Sequence, residues 1–97
     1  MYPPQQSEEQ RIRMPRKGEI MGTVIEMKGG SRMTVKCFDG KERLCRIPGK
    51  IKKKLIIKSG DYLIVQPWSV QGDERGDVAY RYNSFQVEQL RRKGILK

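Results

Sequence analysis

An alternation of apolar and polar residues across a tight turn is the feature that most constrains the fold of this chain. In SRMTVKCF, Met33, Val35 and Cys37 alternate with polar or charged residues, which is typical of a strand with one buried face. ERLCRI follows, and Asp39-Gly40 between the two stretches is a strong hairpin signal. The pattern predicts two antiparallel strands. Both cysteines can face the core if Gly40 adds a bulge residue in the left-handed region.

Three further stretches have strand character, and with the hairpin they predict a barrel. In the segment GEIMGTVIEMK, Ile20 and Val24 would face one side of a strand, whereas Ile25 and Met27 would face the other. This change of side within one strand indicates a bulge. DYLIVQPW and DVAYRY supply two later strands, and a short helix over residues 50–55 is predicted between the third and fourth strands. This order predicts an all-β fold, a five-stranded OB-fold (S1-like) Greek-key barrel.

The C-terminal stretch NSFQVEQLRRKG changes to helical spacing, with Val87 and Leu90 three residues apart. Asn83 and Gln86 resemble a capping box at the start, and Gly94 fits a helix end. We therefore expect a C-terminal helix packed on or beside the barrel. The predicted organisation is a disordered basic tail over residues 1–17, an OB-fold domain over residues 18–83 and the C-terminal helix over residues 84–97.

The balance of charges limits the kinds of partner that the chain is expected to bind. The chain carries 21 Lys and Arg residues against 11 Asp and Glu, a net charge of +10 on 97 residues. A field of that sign attracts polyanions, so RNA, DNA and anionic membrane are all candidates. No apolar run approaches the roughly 20 residues of a membrane span, and the N-terminus lacks the apolar region of a secretory signal. We expect a cytoplasmic monomer with no membrane attachment.

The N-terminal tail contributes part of this charge. Three prolines, three glutamines and the lack of a periodic apolar pattern predict disorder. Its cations either keep the chain soluble or form an arm that follows a nucleic-acid backbone, and the sequence leaves both interpretations open. These cations are Arg11, Arg13, Arg16 and Lys17.

The predicted helix in GKIKKKLIIKSG has two different sides. Ile51 and Leu55 are four residues apart and define a buried side. A solvated face is one interpretation of the other side, but lysines four apart repel each other by roughly 0.2–0.5 kcal/mol, and no acidic residue offsets them. A ridge that contacts phosphate is therefore favoured. The lysines of this ridge are Lys50, Lys52, Lys53 and Lys54.

Cations also alternate along the predicted second and third strands, which form the usual nucleic-acid face of an OB barrel. Trp68 is interpreted as a lid on the barrel in preference to a stacking plate. A surface rich in Lys and Arg and poor in free aromatic residues suits structured, phosphate-dense RNA. Arg43 or Leu44 also lies on the outward side of these strands, and the candidate RNA contacts are Arg32, Lys36 and Arg46, with Arg81 on the last strand.

Residues that carry enzymatic chemistry are scarce. The chain has no histidine, which removes the Ser-His and Cys-His pairs and the commonest general base. No P-loop or dinucleotide fingerprint is present. Cys37 and Cys45 lack the CxxC spacing and are too few for a structural zinc site, so they are expected to be reduced core residues. We expect no catalysis, no cofactor and no metal.

The stretch CFDGKERLCRIPGKIKKK, with the GTV strand before it and DVAYRYN after it, resembles the translation initiation factor 1A family of archaea and eukaryotes. The similarity extends over about Gly18 to Leu90, and a weaker similarity connects the chain to the bacterial initiation factor of the same barrel type. The resemblance implies an OB-fold that docks in the A site of the small ribosomal subunit. There it would contact decoding-centre rRNA, promote initiator tRNA binding and start selection, and support subunit dissociation.

The resemblance also implies contacts and partners. The lysine ridge, Arg32 at the exit of the first loop and Arg46 would contact rRNA, with initiator tRNA, mRNA and other initiation factors nearby. Pro48 stands where eukaryotic members have a basic residue, and the chain ends at Lys97 without their long acidic tail, which suggests an archaeal-type protein. A structural ribosomal protein or a generic RNA-binding OB module is the alternative.

Overall fold

Five strands close into one barrel, and a helix follows the last strand. The computed structural model describes residues 12–49 and 56–96. The elements are β1 (Ile20–Gly29), β2 (Arg32–Cys37), β3 (Glu42–Arg46), β4 (Tyr62–Pro67), β5 (Arg75–Arg81) and α1 (Ser84–Arg92). The strand order is β1-β2-β3-β5-β4, with β4 returning to β1. The OB-type barrel and the C-terminal helix are thus confirmed. The helix predicted over residues 50–55 lies outside the described residues.

The long strand β1 bends in the middle, as the change of parity predicted. Its register with β2 shifts between Val24 and Glu26, so Ile25 is the extra residue of a bulge. Close to the bend, a Cβ added to Gly22 would lie 2.5 Å from a methyl carbon of Val35. Only glycine lets the two strands approach this closely, which allows β1 to pair with β2 and β4 and close the barrel.

The β2–β3 hairpin forms with the predicted turn at Gly40. Met33 pairs with Cys45, and Gly40 has a φ of +90°, in the region that favours glycine. Cys37 and Cys45 are both buried and both free thiols. The prediction that the two cysteines face the core is therefore confirmed.

The core has two parts, one inside the barrel and one beneath α1. The barrel interior is filled by alternate side chains of all five strands, including Met33, Leu63 and Val78. The second cluster joins the barrel to α1 through Leu90, which is fully buried, and Leu96. Burying a leucine side chain contributes about 1.5–3 kcal/mol, so α1 is held to the barrel mainly by apolar contact.

Both ends of α1 follow the local signals in the sequence. Asn83 accepts a hydrogen bond from the backbone of Gln86, and Gln86 accepts one from the backbone of Asn83, which completes the capping box. At the other end Gly94 has a φ of +80°, and the N–H of Ile95 donates to the carbonyl of Leu90 over 3.0 Å. This is a Schellman motif, and it fixes the position of Leu96 against the barrel.

The last part of the predicted disordered tail lies on the barrel instead. Over residues 12–17, Arg13 makes two 3.0 Å hydrogen bonds to the carboxylate of Glu19, and its carbonyl accepts a hydrogen bond from the Tyr82 hydroxyl. The contact between Arg13 and Tyr82 could not be predicted from the sequence, because the two residues are far apart along the chain. Disorder of residues 1–11 stays a prediction, since they lie outside the described residues.

Candidate nucleic-acid interface

Arg32 and Arg46 lie side by side on the outer face of the β2–β3 hairpin. They are directly opposite each other in the antiparallel register, and both are exposed. Directly opposed residues of this kind have Cβ atoms about 4.5–5.5 Å apart. Like charges at this separation repel each other, so the pairing of Arg32 with Arg46 does not itself stabilise the hairpin. The hairpin thus brings together two of the predicted RNA contacts.

Lys36 lies on the same face but nearer the turn of the hairpin. It is exposed and stands opposite Glu42, about 13 Å along β2 from Arg32 at roughly 3.3 Å per residue. Within residues 12–49 and 56–96, neither Arg32 nor Lys36 makes an ion pair. These two cations are therefore the ones on this face that phosphate groups can reach without breaking an existing pair.

Arg46 is held in a defined orientation by two neighbours. Its Nε donates to Oδ1 of Asp77 over 2.9 Å, and its guanidinium carbon lies 5.2 Å from the centre of the Trp68 ring. The indole N–H of Trp68 donates to the same Oδ1 over 2.9 Å. The Arg46 side chain nevertheless remains 59% exposed, so it can contact a ligand from the solvent side.

The prediction that Trp68 forms a lid on the barrel is wrong, because its ring does not cover the barrel interior. It is half-buried, belongs to neither core cluster, and has its polar contact on the outer surface, with Asp77. The parallel pairing of β3 with β5 sets Asp77 beside Arg46, and this pairing joins strands that are distant in sequence. Sequence reasoning missed Asp77 for that reason, although the outward parity of Asp77 on the last strand was a partial signal.

Arg43 is not an RNA contact, because its side chain points inward. It is 4% exposed, binds both carboxylate oxygens of Asp39 at 3.0 and 3.2 Å, and donates through Nε to the carbonyl of Gly72. The Arg43 guanidinium holds the pKa of the Asp39 carboxyl below its usual value. Arg43 lies two residues before Cys45 on β3, so its side chain is expected on the same inward side of the strand. Its role is to tie the β2–β3 turn to the β4–β5 loop.

Arg81 is separate from the other predicted contacts. Its Nε donates to Oδ2 of Asp61 over 3.0 Å, and both side chains are more than two-thirds buried. The same Oδ2 also accepts the backbone N–H of Lys58, so the pair fixes the turn that leads into β4. Arg81 lies four residues beyond Asp77 on β5, about 13 Å along the strand from Asp77, which is the residue that pairs with Arg46. The structure assigns it a structural contact.

Five of the predicted contacts belong to parts of the chain other than residues 12–49 and 56–96. The four lysines of the ridge and one cation of the arm lie outside the described residues: Lys50, Lys52, Lys53, Lys54 and Arg11. On either side of this gap, Ile47 and Ile57 both pack against the barrel core. In the arm, Arg16 and Lys17 are exposed, whereas Arg13 is engaged with Glu19.

The two cysteines and the acidic side chains are the groups that could carry reactive or metal-binding chemistry. Burial raises the pKa of the Cys45 thiol to about 12 and also raises the pKa of Cys37, so both thiols are protonated and unreactive at neutral pH. Among the residues that the structure describes, no three acidic or thiol side chains gather into a set able to hold a metal ion. Nor does that part of the chain contain a helix long and apolar enough to cross a membrane.

Comparisons with known proteins point in one direction. The family model described as translation initiation factor 1A / IF-1 matches residues 9–97. Translation initiation factor 1A of Methanococcus maripaludis strain S2 is 49% identical over 96 residues, covering 97% of this chain and 90% of the relative. That of Archaeoglobus fulgidus is 53% identical over 89 residues, covering 90% and 91%.

A solved structure supports the fold. The solution structure of translation initiation factor 1 from the Wolbachia endosymbiont strain TRS of Brugia malayi superposes with a TM-score of 0.54. The match covers 68% of this chain and 78% of that chain at 24% sequence identity. At that identity the likeness concerns the barrel alone.

Proposed function

The chain belongs to the translation initiation factor 1A / IF-1 family, and from that premise we propose that it binds small-subunit rRNA through the outer face of β2 and β3. The observation that carries the proposal is the exposed pair of Arg32 and Arg46, opposite each other on the strands that bind nucleic acid in OB barrels. Lys36 extends the positive face toward the hairpin turn. Cations without a protein partner gain most from phosphate, because binding releases condensed counterions.

The lysine ridge would extend this face. Lys50 follows Arg46 by four residues, so the chain cannot carry it more than about 14 Å from Arg46. We propose that these four lysines contact the RNA backbone together with the two arginines. Lysine acts on phosphate as a point charge and carries little base information, so this surface is suited to positioning more than to sequence readout.

The function is a binding function and not a catalytic one. The protein would occupy the decoding region in the A site, promote initiator tRNA binding and start selection, and support subunit dissociation. Its neighbours there would be mRNA, initiator tRNA and other initiation factors. It would act as a monomer in the cytoplasm, without a cofactor. In the arm, Arg16 and Lys17 are exposed and would approach RNA, and we propose the same for Arg11, whereas Arg13 is bound to Glu19.

The test is binding to purified small subunits at near-physiological salt, measured by co-sedimentation. Arg32→Glu together with Lys36→Glu reverses two charges on the proposed face. Because each lost phosphate contact removes released counterions, affinity should fall and the slope of log affinity against log salt should decrease by about 1 per contact. Thermal melting checks that the double variant is folded.

The matched control reverses two charges on another surface. Arg92 and Lys93 are exposed at the end of α1, so Arg92→Glu together with Lys93→Glu makes the same change of net charge without altering the hairpin. We expect it to bind the subunit nearly as well as the unaltered protein. Equal affinities for the hairpin variant and the unaltered protein would contradict the proposal. Retention on the subunit through stringent salt washing would favour a structural ribosomal protein instead.

A further inference from the structure

An acidic residue, Asp77, lies beside Arg46 on the surface proposed to bind RNA. Asp77 is the partner of Arg46 in the parallel register of β3 and β5, and the partner of Gln66 in the antiparallel register of β4 and β5. Its side chain is 30% exposed, so a phosphate group bound to Arg46 would be repelled by the carboxylate. By charge alone, Asp77 is therefore unfavourable for RNA binding.

The carboxylate of Asp77 is held in place by its strand and by Trp68. β5 is paired on both sides at this residue, and the indole N–H of Trp68 donates to Oδ1 of Asp77 over 2.9 Å. Side chains that stand on strands and are hydrogen-bonded hold a geometry more precisely than side chains on loops. Oδ1 of Asp77 is thus a fixed acceptor on the outer surface of the barrel.

Arg46 uses one edge of its guanidinium to bind this acceptor. Its Nε donates to Oδ1 of Asp77 over 2.9 Å, and its guanidinium carbon lies 5.2 Å from the centre of the Trp68 ring. Within residues 12–49 and 56–96, neither Nη group of Arg46 donates a hydrogen bond. The N–H donors of both Nη groups therefore remain for a phosphate, which a guanidinium can bind through two parallel hydrogen bonds.

Arg32 shows what an arginine on this face is like without such neighbours. It stands opposite Arg46, is exposed, and makes no ion pair with any residue that the structure describes. A long side chain that is free to change rotamer loses this freedom when it binds a ligand. Arg46 is already ordered by Asp77 and Trp68, so it loses less freedom when it binds phosphate.

We propose that Asp77 is a positioning residue, which holds the guanidinium of Arg46 with its two Nη groups directed toward the phosphate of bound RNA. The inference rests on the proposed function, in which Arg46 contacts rRNA. Asp77 acts through Arg46 and does not itself touch the RNA. The order that it gives to Arg46 outweighs the repulsion between its carboxylate and the phosphate.

The test compares two substitutions that change the charge equally. Asp77→Ala and Asp77→Asn each raise the net charge of +10 by one unit, but asparagine keeps a side-chain oxygen that accepts hydrogen bonds. In co-sedimentation with purified small subunits, we expect Asp77→Ala to bind roughly 2- to 10-fold more weakly than the unaltered protein, because Arg46 must then be immobilised on binding. Asp77→Asn should bind more tightly than Asp77→Ala. Binding by Asp77→Ala that equals or exceeds that of Asp77→Asn would overturn the inference.

Asp73→Ala is the control for the change of charge. Asp73 is 75% exposed in the β4–β5 loop and pairs with Lys41, so this substitution removes one negative charge without touching Arg46. We expect no loss of affinity from it. A loss equal to that of Asp77→Ala would show that any acidic residue of this region has the same effect, and would overturn the positioning role.

Arg46→Ala separates this inference from the proposed function. It should weaken subunit binding, and Asp77→Ala should weaken binding no further when Arg46 is already absent. A loss with Arg46→Ala but none with Asp77→Ala would overturn the positioning role and leave the proposed function standing. Normal binding by Arg46→Ala would contradict the contact of Arg46 with rRNA, and the positioning role with it.

Nuclear magnetic resonance of the free protein tests the orientation of Arg46 without RNA. The order parameter of its Nε–H bond reports motion on the ps–ns timescale. We expect a high value in the unaltered protein and in Asp77→Asn, and a clearly lower value in Asp77→Ala. An order parameter in the unaltered protein as low as in Asp77→Ala would overturn the inference. Thermal melting checks that each variant is folded.

Discussion

At the scale of single residues, arginines in this protein divide into those that bind the protein itself and those that face solvent. Arg43 is buried against Asp39, whereas Arg32 is exposed on the neighbouring strand. Composition counts both as one positive charge, but only an exposed cation without a partner can attract RNA at little cost to the fold. The position of the side chain on the strand decides which role it has.

Arg43→Ala should destabilise the fold through loss of a buried contact. Removal leaves Asp39 and the carbonyl of Gly72 without their partner, and breaking a buried pair is typically worth about 3–5 kcal/mol. Because the Asp39 side chain is 32% exposed and can be hydrated again, we expect a value near the low end. The measurement is the free energy of unfolding in urea.

Lys41→Ala is the control for this prediction. Lys41 and Asp73 form a pair in the same region, with side chains that are 49% and 75% exposed. Exposed pairs of this kind contribute about 0–1 kcal/mol. Equal effects of the two substitutions would contradict the assignment of Arg43 as a buried tie between the turn and the loop.

The contact between Arg13 and Glu19 should make stability depend on pH. Arg13 holds the pKa of the Glu19 carboxyl below its ordinary value of about 4. A carboxyl whose pKa is lower in the folded state stabilises the protein above its unfolded pKa, and this contribution is lost as pH falls through the folded pKa. Glu19→Gln should therefore lower the free energy of unfolding at pH 7 by about 1–2 kcal/mol.

The pH dependence separates this effect from simple loss of packing. The difference between Glu19→Gln and the unaltered protein should shrink as pH drops below about 4, because the native carboxyl then becomes protonated. Glu26→Gln serves as the comparison, since Glu26 and Lys28 form an exposed pair. A difference for Glu19→Gln that stays constant from pH 7 to pH 3 would argue against the assignment.

At the scale of elements, α1 depends on how it ends. Gly94 adopts a φ of +80°, and the space around its missing Cβ is open. Gly94→Ala should therefore cost about 1–2 kcal/mol from backbone strain alone, with no steric clash. Gly94→Asn should cost less, because asparagine tolerates this conformation. Equal melting temperatures for the alanine variant and the unaltered protein would mean that the Schellman motif does not hold α1 on the barrel.

The sequence predicts those elements whose signals are local. Alternation predicted β2 and β3, Gly40 marked their turn, and Asn83 with Gln86 marked the start of α1, because each depends on residues close in the chain. The pairing of Arg32 with Arg46 follows from the same hairpin register.

Contacts between distant segments were not predictable in this way. The parallel pairing of β3 with β5 creates the contact of Arg46, Trp68 and Asp77. The Tyr82 hydroxyl likewise meets the carbonyl of Arg13 only after the barrel has closed. A local pattern shows which side of a strand a residue occupies but not which distant strand lies beside it.

At the scale of the whole molecule, some arginines form ion pairs that hold segments to the barrel, whereas other cations face solvent. Ion pairs of Arg13, Arg43 and Arg81 join the tail, the hairpin turn and the approach to β4 to the barrel. The outer face of the hairpin keeps Arg32 and Lys36 outside these pairs. In the proposed function this face would meet RNA, and the net charge of +10 would speed their association.

The most direct test of this account is chemical footprinting of small-subunit rRNA with the unaltered protein and with the variant that combines Arg32→Glu and Lys36→Glu. We expect protection confined to the decoding site with the unaltered protein, and loss of that protection with the variant at equal concentration. Diffuse protection across the rRNA, or protection at the decoding site that the variant retains in full, would contradict it.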